Sequence, residues 1–257
     1  MSEGKPQTVY IFRHGDRMDR GIDKESRDWQ KDNKRNEDTP ISYIGRTQAE
    51  DVATYLLKEV DLKNTILISS PWLRTMQTSL PFTKKSKLKL RLDSAFGEGA
   101  AYRSHDAPPH AEDSDFKGLV DKDYKELLGG KDPDVDMKNV EVALEKRFGF
   151  KAGRSIVIFS HADPCIYMSG ALSKKPSSDI NVASPCALWK LTQSAAKKPY
   201  KVECNGRIDH LSVYGRTNPW HHNKKLVTAW RKLGWPPPED EQKLKVFREA
   251  YHDLYKN

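Results

Sequence analysis

The chain has 257 residues, of which 37% are hydrophobic and 31% are charged, and its formal net charge at pH 7 is +8. This length predicts one large α/β domain or two small ones, and the three scattered cysteines exclude a disulfide framework or a zinc site. The basic surplus favours anionic partners, but the lysines lie in small groups without interleaved aromatic residues, so we expect a solvated basic surface and no nucleic-acid partner.

We expect no targeting signal in the first residues of the chain. Met1 to Lys5 contain no apolar signal region. No apolar stretch approaches the roughly 20 residues that a membrane span requires. We therefore expect a cytoplasmic protein with reduced thiols and no membrane contact.

Strand patterns and helical patterns alternate along the chain. The predicted strands are Thr8–Arg13, Thr65–Ser69, Lys87–Leu92, Ser155–Ser160, Ala187–Thr192 and Tyr200–Asn205. Between them, the stretches from Ser42 to Glu59 and from Met137 to Phe148 place apolar residues at close to a 3.6-residue period, which predicts helices. This alternation is typical of a mainly parallel sheet that is covered on both faces.

Two helices are predicted to begin directly after a strand. Ser70 before Pro71 and Asp163 before Pro164 each combine a capping side chain with a proline that suits the first helical turn. Each helix start would offer unpaired amides and the positive end of a helix dipole to an anion.

Two polar stretches predict long insertions over the site. Residues 19–39 are charged and poor in apolar side chains, and residues 96–136 are rich in glycine and proline, with a short helix predicted around Tyr124–Leu128. Insertions of this length in a compact domain are usually functional lids or mobile segments. We expect a single domain over residues 1–257 that ends in a charged helical extension, residues 239–255.

A cation, an imidazole and a glycine follow the first predicted strand, as Arg13-His14-Gly15. Ligands of open α/β sheets bind at the carboxyl ends of the strands, where this triplet would lie. His161 closes a second apolar run, so the fold could bring both histidines to one edge of the sheet. The pattern suggests phosphoryl transfer with a histidine as the nucleophile.

Three arginines are candidates for binding a phosphate monoester: Arg13, Arg17 and Arg74. An enzyme that cleaves such an ester must neutralise three non-bridging oxygens, supply a nucleophile and protonate the leaving oxygen. Arginine suits the first task because its fork bridges two oxygens, a neutral imidazole suits the second, and a carboxylic acid suits the third. A cation in a first helical turn opposes the helix dipole, so the position of Arg74 argues for a nearby anion.

Four ordered motifs, spread over about residues 8–170, carry a family resemblance. They are Arg13-His14-Gly15, Ile41 to Ala49, Ser69 to Thr78, and Val157 to His161. On these motifs the chain resembles the histidine phosphatase superfamily, also called the phosphoglycerate mutase-like family. The arginine at position 17 is similar to that of a subgroup with insect steroid-phosphate phosphatases and the phosphatase domains of suppressors of T-cell receptor signalling.

The resemblance implies an α/β three-layer sandwich with a mainly parallel central sheet, and a phosphomonoesterase that needs neither metal nor cofactor. His14 would be phosphorylated transiently, and water would then hydrolyse the phosphohistidine. The residues implied to hold the phosphoryl group are Arg13, Arg17, Arg74 and His161. The substrate would be a phosphorylated small molecule or a phosphoprotein, and many relatives pair as dimers, which leaves a homodimer open.

The resemblance offers two candidates for the general acid. The family's glutamate follows the third strand, where Glu98 is the best match. Asp163 is the alternative, because some distant members place an aspartate beside the second histidine. Its simpler role is to cap the following helix, so we favour Glu98.

Two other functions fit parts of the pattern. A phospho-ligand binding or scaffold protein would have lost catalysis, yet no core phosphate-binding residue is missing from this chain. A phosphoglycerate mutase needs a long-lived phosphohistidine and its own substrate contacts, and Arg17 disfavours it, as does the absence of the mutase serine and asparagine. Hydrolysis of phosphate monoesters is therefore the leading hypothesis.

Overall fold

Strands and helices alternate in the computed structural model, which describes residues 5–21, 24–33, 38–97, 110–126, 144–176 and 184–212. The strands are β1 (Gln7–Arg13), β2 (Thr65–Ser69), β3 (Arg91–Leu92), β4 (Ser155–Ser160), β5 (Leu188–Gln193) and β6 (Lys201–Arg207). The helices are α1 (Lys24–Asp32), α2 (Tyr43–Glu59), α3 (Leu73–Ser86), α4, of which residues 144–148 are described, and α5 (Ala162–Ser173). Short 3-10 turns occupy Leu62–Asn64 and Ser94–Phe96.

The six strands form one sheet in the order β3-β2-β4-β1-β5-β6. Strands β1 to β4 run parallel, whereas β5 pairs antiparallel with both β1 and β6. The mainly parallel α/β sheet predicted from the sequence is thus confirmed. Strands β1 and β4 are neighbours, with Arg13 opposite Ser160, so the residues that follow these two strands leave the sheet side by side.

Helices cover both faces of the sheet and give it three layers. Along β1, Tyr10 and Phe12 pack into a core with side chains of α2 and α3, while Val9 and Ile11 pack into a second core with side chains of α5. Each fully buried large apolar side chain contributes roughly 1.5–3 kcal/mol. Because both faces are covered, the central strands read as continuous apolar runs and not as alternating ones.

The third strand is shorter than the predicted Lys87–Leu92. Only Arg91 and Leu92 pair with β2, because α3 continues to Ser86 and Lys87 ends it in the left-handed conformation, at φ 62°. Leu90 instead forms an isolated bridge with Val120, which ties the second insertion to this edge of the sheet.

The insertions contain a helix that was not predicted and lack part of one that was. The loop expected over residues 19–39 is wrong in its middle, where α1 forms with Glu25 in its first turn and Lys31 in its last, as the helix dipole favours. In the second insertion, residues 124–126 are not helical, so the helix around Tyr124–Leu128 is wrong at its start. Its remainder, and the extension expected over 239–255, lie outside the described residues. Within the described ranges, none of the helices combines the length and the apolar character needed to span a bilayer.

Candidate active site

The two histidines follow neighbouring strands and face each other. The main-chain N–H of His14 donates to the carbonyl oxygen of Ser160 at 2.9 Å, which extends the pairing of β1 and β4 by one residue. The ring centroids of His14 and His161 lie 5.4 Å apart, with 62° between the ring planes. Both side chains are buried. The sheet therefore brings together two residues that are far apart in the sequence.

His14 is held in one tautomer. Its Nδ1 lies 2.8 Å from the carbonyl oxygen of Gly15, which can only accept a hydrogen bond, so Nδ1 carries the proton and Nε2 carries the lone pair of the neutral ring. Burial lowers the pKa of His14 well below the ordinary 6.5, and neighbouring positive groups lower it further. Those groups are Arg13, Arg74 and His161. His14 is thus neutral near pH 7, which is the form that a nucleophile requires.

The ring of His161 is held by the segment that joins β2 to α3. Its Nε2 lies 3.0 Å from Oγ of Ser70. The indole of Trp72 meets the same imidazole edge to face, with 5.5 Å between the centroids. Trp72 belongs to one of the sequence motifs, but nothing in the sequence indicated that it packs against His161.

Neither predicted capping side chain caps its helix. Trp72 occupies the N-cap position of α3, and Ser70 lies two residues earlier, with its Oγ directed to His161. His161 itself occupies the N-cap position of α5, so Asp163 lies in the first turn of that helix and is exposed. In each case the helix begins close to the predicted place, but the serine or aspartate lies two residues away from the N-cap position.

Two of the three candidate arginines are buried beside His14. Arg13 is 8% exposed at the end of β1, and Arg74 is 1% exposed in the first turn of α3. The guanidinium of Arg74 lies over the ring of Trp72, 4.1 Å from its centroid, and its Nη1 lies 3.8 Å from Oδ1 of Asp38. The sequence predicted an anion near Arg74, and the carboxylate of Asp38 supplies part of that negative charge.

Arg17, the third candidate, lies in the loop after β1. Its main chain forms an isolated bridge with Ile41. Its Nε and Nη2 donate to the two carboxylate oxygens of Asp19 at 2.9 and 2.8 Å. In the described residues its fork therefore engages Asp19 and neither histidine ring.

Glycines let α2 approach the loop that carries His14. A Cβ on Gly15 would lie 2.9 Å from the carbonyl oxygen of Gly45, and a Cβ on Gly45 would lie 2.4 Å from that of Asp16. The buried carboxylate of Asp16 accepts from the hydroxyl of Ser42 at 2.7 Å, and the N–H of Gly15 donates to Oγ1 of Thr78 at 2.9 Å. Three motifs that are distant in the sequence thus form one junction around His14.

Asp38, which lies beside Arg74, and its partner His110 carried no signal in the sequence. Asp38 accepts from the N–H of Leu73 at 2.8 Å through Oδ1, and its Oδ2 lies 2.6 Å from Nε2 of His110. The other ring nitrogen of His110 lies 2.8 Å from Oδ2 of Asp113. The hydrogen bond with Asp38 is the main cause that raises the pKa of His110. Both residues lie in the insertions, where no periodicity marks a contact.

The preferred general acid, Glu98, lies outside the described residues, but the chain can be followed to the residue before it. The hydroxyl of Ser160 donates to the carbonyl oxygen of Phe96 at 2.7 Å. A Cβ on Gly97 would lie 3.4 Å from Nε1 of Trp72. The segment that leads to Glu98 therefore ends against the indole that packs on the second histidine.

These residues form a cationic cluster around one neutral imidazole. Two buried guanidinium groups and the N-terminal end of α5 all favour an anion beside His14. In the described parts of the chain, no group of three or more His, Cys, Asp or Glu side chains is arranged to hold a metal ion. The arrangement can therefore bind a phosphoryl group through arginine and present a nitrogen lone pair to it.

Solved structures of phosphatases share this fold. The ecdysone phosphate phosphatase from Bombix mori, in complex with tungstate, superimposes with a TM-score of 0.53 at 20% identity, over 84% of this chain and 99% of that one. A mycobacterial glucosyl-3-phosphoglycerate phosphatase in complex with VO3 superimposes with a TM-score of 0.52 at 16% identity, over 78% of this chain and 99% of that one. At such low identities, these superpositions show a common fold and no more.

The sequence comparisons place the chain in a family. A search of curated proteins found no significant match. The family model described as the histidine phosphatase superfamily (branch 1) matches residues 9–200, a span that includes both histidines and the two buried arginines. Because that match covers well over half of the chain, the protein belongs to the histidine phosphatase superfamily.

Proposed function

We propose that the protein is a metal-independent phosphatase that hydrolyses phosphate monoesters through a transient phosphohistidine at His14. The observation that carries this proposal is the state of the His14 ring. Its Nδ1 is committed to Gly15, and burial and neighbouring cations keep its pKa low, so Nε2 bears a lone pair among positive groups. The charge of the two arginines makes the protonated form of His14 unfavourable and favours an anion next to its ring. A merely structural histidine would need neither effect.

The proposed reaction has two steps. In the first, Nε2 of His14 attacks the phosphorus as the ester P–O bond breaks, and the leaving oxygen takes the proton of Glu98. In the second, water attacks the phosphohistidine and gives a proton to the Glu98 carboxylate, which releases inorganic phosphate and restores both residues. The groups that neutralise the phosphoryl oxygens in both steps are Arg13, Arg17, Arg74 and His161.

The proposed substrate is a phosphorylated small molecule or a phosphoprotein. The names of the two structural relatives, an ecdysone phosphate phosphatase and a glucosyl-3-phosphoglycerate phosphatase, support a small phosphorylated molecule. The net charge of +8 would assist the approach of any such anion.

The test measures hydrolysis of p-nitrophenyl phosphate, with and without a chelator, in the wild type and in His14→Ala. We expect chelator-resistant turnover in the wild type, no turnover in the variant, and an acid-labile, base-stable phosphoryl group trapped on the wild type alone. A control is His210→Asn, because the ring of His210 packs against Phe12 and Tyr55 in the core between the sheet and α2. The control should stay active in its folded fraction.

The other outcomes assign different functions. Equal turnover in the wild type and His14→Ala would show that His14 is not the nucleophile. An inactive wild type that still binds phosphate would indicate a binding protein, and loss of activity on chelation would contradict the metal-independent mechanism.

A further inference from the structure

The two insertions meet at one ion pair next to Arg74. Asp38 lies near the end of the first insertion and His110 lies in the second, with 2.6 Å between Oδ2 and Nε2. The other carboxylate oxygen of Asp38 accepts from the N–H of Leu73 at 2.8 Å and lies 3.8 Å from Nη1 of Arg74. Asp38 and Arg74 are both buried, so water screens their attraction little.

Both ring nitrogens of His110 face carboxylates. Nε2 lies against Asp38, and Nδ1 lies 2.8 Å from Oδ2 of Asp113. A neutral imidazole has only one N–H, so two ionised carboxylates require the doubly protonated ring. The hydrogen bond with Asp38 raises the pKa of His110, burial opposes it, and the hydrogen bond with Asp113 raises it again. His110 therefore acts as a cation fixed between one buried and one exposed carboxylate.

We propose that Asp38 and His110 are positioning residues of the phosphate site. Asp38 fixes the first turn of α3 and the guanidinium of Arg74, and His110 fixes Asp38. This inference rests on the proposed function, because it takes Arg74 to bind the phosphoryl oxygens. Neither positioning residue needs to touch the substrate.

The restraint on Arg74 has two sides. The ring of Trp72 lies 4.1 Å from the guanidinium and limits its movement across the ring face. The carboxylate of Asp38 lies close to Nη1 and limits movement of the guanidinium on that side. The same carboxylate accepts a hydrogen bond from the N–H of Leu73, which fixes the backbone one residue before Arg74. A guanidinium held in this way can present two parallel N–H groups to an anion without first losing side-chain entropy.

Removal of the Asp38 charge has two opposing effects on anion binding. It takes away a negative charge near the anion, which strengthens binding, and it releases Arg74, which weakens binding. A charge-assisted hydrogen bond that loses its geometry is a large loss, so we expect the second effect to prevail and to weaken binding about tenfold.

The experiment measures the dissociation constant of inorganic phosphate by calorimetry for the wild type, Asp38→Asn and His110→Gln, each also in an Arg74→Ala background. Asparagine keeps an oxygen for the N–H of Leu73, so the change removes the charge and not the hydrogen-bond acceptor. We expect binding about tenfold weaker in Asp38→Asn and about threefold weaker in His110→Gln. Without Arg74, neither change should weaken binding further, because both act through it.

The matched control is Glu112→Gln. Glu112 lies in the same segment as His110, is 63% exposed and pairs with Lys122, so its substitution changes the charge of the segment without touching Asp38. The affinity of Glu112→Gln for phosphate should equal that of the wild type. A loss of affinity as large as that of His110→Gln would show that the overall charge of the segment weakens binding, and it would overturn the proposal.

Three further results would also overturn it: unchanged binding in Asp38→Asn, tighter binding in Asp38→Asn, or a loss that persists in full without Arg74. If Asp38→Asn does not fold, His110→Gln decides the question, because its side chain is 22% exposed and its removal opens no buried cavity. The proposed function fails separately, through a wild type that binds phosphate and does not hydrolyse p-nitrophenyl phosphate. A wild type with no affinity for phosphate contradicts both.

Discussion

The hydrogen bond from the N–H of His14 to the carbonyl oxygen of Ser160 sets the distance between the two imidazoles of the site. It lies at the end of the β1–β4 ladder, one residue beyond the pair of Arg13 and Ser160. The chain then turns away from the sheet at His14 and at His161. Two rigid strands, and not flexible loops, therefore hold the rings 5.4 Å apart, and the remaining contacts only have to orient each ring.

Ser70 orients the second ring, so Ser70→Ala should lower turnover more than stability. Its Oγ lies 3.0 Å from Nε2 of His161, and both groups are buried. We expect kcat for p-nitrophenyl phosphate to fall about tenfold, with about 1 kcal/mol lost from the free energy of unfolding. Ser69→Ala is the control, because the Ser69 hydroxyl is equally buried but donates to the carbonyl oxygen of Ser70 at 2.8 Å. Equal losses of kcat in the two variants would contradict this role.

Gly45→Ala should destabilise the protein although alanine is the better helix former. The new Cβ would lie 2.4 Å from the carbonyl oxygen of Asp16 and 2.8 Å from Cβ of Ile41, and neither is the end of a flexible side chain. We expect a loss of about 1–3 kcal/mol in chemical denaturation, against a propensity gain of about 1 kcal/mol. Activity should fall as well, because α2 is pushed away from the loop that carries His14. Lys58→Ala, an exposed change in the same helix, should alter stability by less than about 0.5 kcal/mol.

His14 should stay neutral, and therefore reactive, at a pH below the ordinary histidine range. Burial, and then the charge of Arg13, lower its pKa well below 6.5, so the acid limb of kcat/KM, corrected for ionisation of the substrate, should lie below pH 6.5. The unfolded chain takes up this proton at about pH 6.5, so stability should be lost as the pH falls from there through the folded pKa. The His14 ring resonances measure the same titration. Protonation at or above pH 6.5 would contradict the assignment.

The sequence predicts those elements that are buried and therefore show a clear pattern of apolar residues. The limits of β2 and β4 agree with the predicted Thr65–Ser69 and Ser155–Ser160, because both strands are covered on two faces and read as unbroken apolar runs. α2 begins one residue after the predicted Ser42, whose hydroxyl accepts from the N–H of Gly45 at 3.1 Å. In such elements, local pattern and tertiary burial agree.

The sequence does not predict the contacts that polar insertions make across the site. Asp38 and His110 are 72 positions apart, and neither lies in a periodic segment, so only the folded chain shows that they meet. Helix α1 is missed for a related reason, because its residues are mostly charged and bury too little apolar surface to give a 3.6-residue pattern. Trp72 stood within a motif, but its packing on Arg74 depends on where α3 begins.

His110 should make a stability contribution that disappears at high pH. Its folded pKa is raised, chiefly by the hydrogen bond with Asp38, so its contribution is fully present below the unfolded value of about 6.5 and is lost as the pH rises through the folded value. We expect the difference in unfolding free energy between the wild type and His110→Gln to shrink over that window. In Asp38→Asn the His110 resonances should titrate at lower pH. A difference that is constant with pH would show that the ring is held by packing alone.

Glu98→Gln should lower turnover most for substrates with poor leaving groups. An alkoxide needs a proton as it leaves, so removal of the acid should cost about 10²–10⁴-fold in kcat with an alkyl phosphate, and much less with p-nitrophenyl phosphate, whose phenolate is stable. The comparison is Asp163→Asn. Asp163 lies exposed in the first turn of α5, where an acidic side chain stabilises the start of a helix. Its substitution should leave the ratio of the two rates unchanged, and a leaving-group dependence confined to Asp163→Asn would move the role of the acid to that residue.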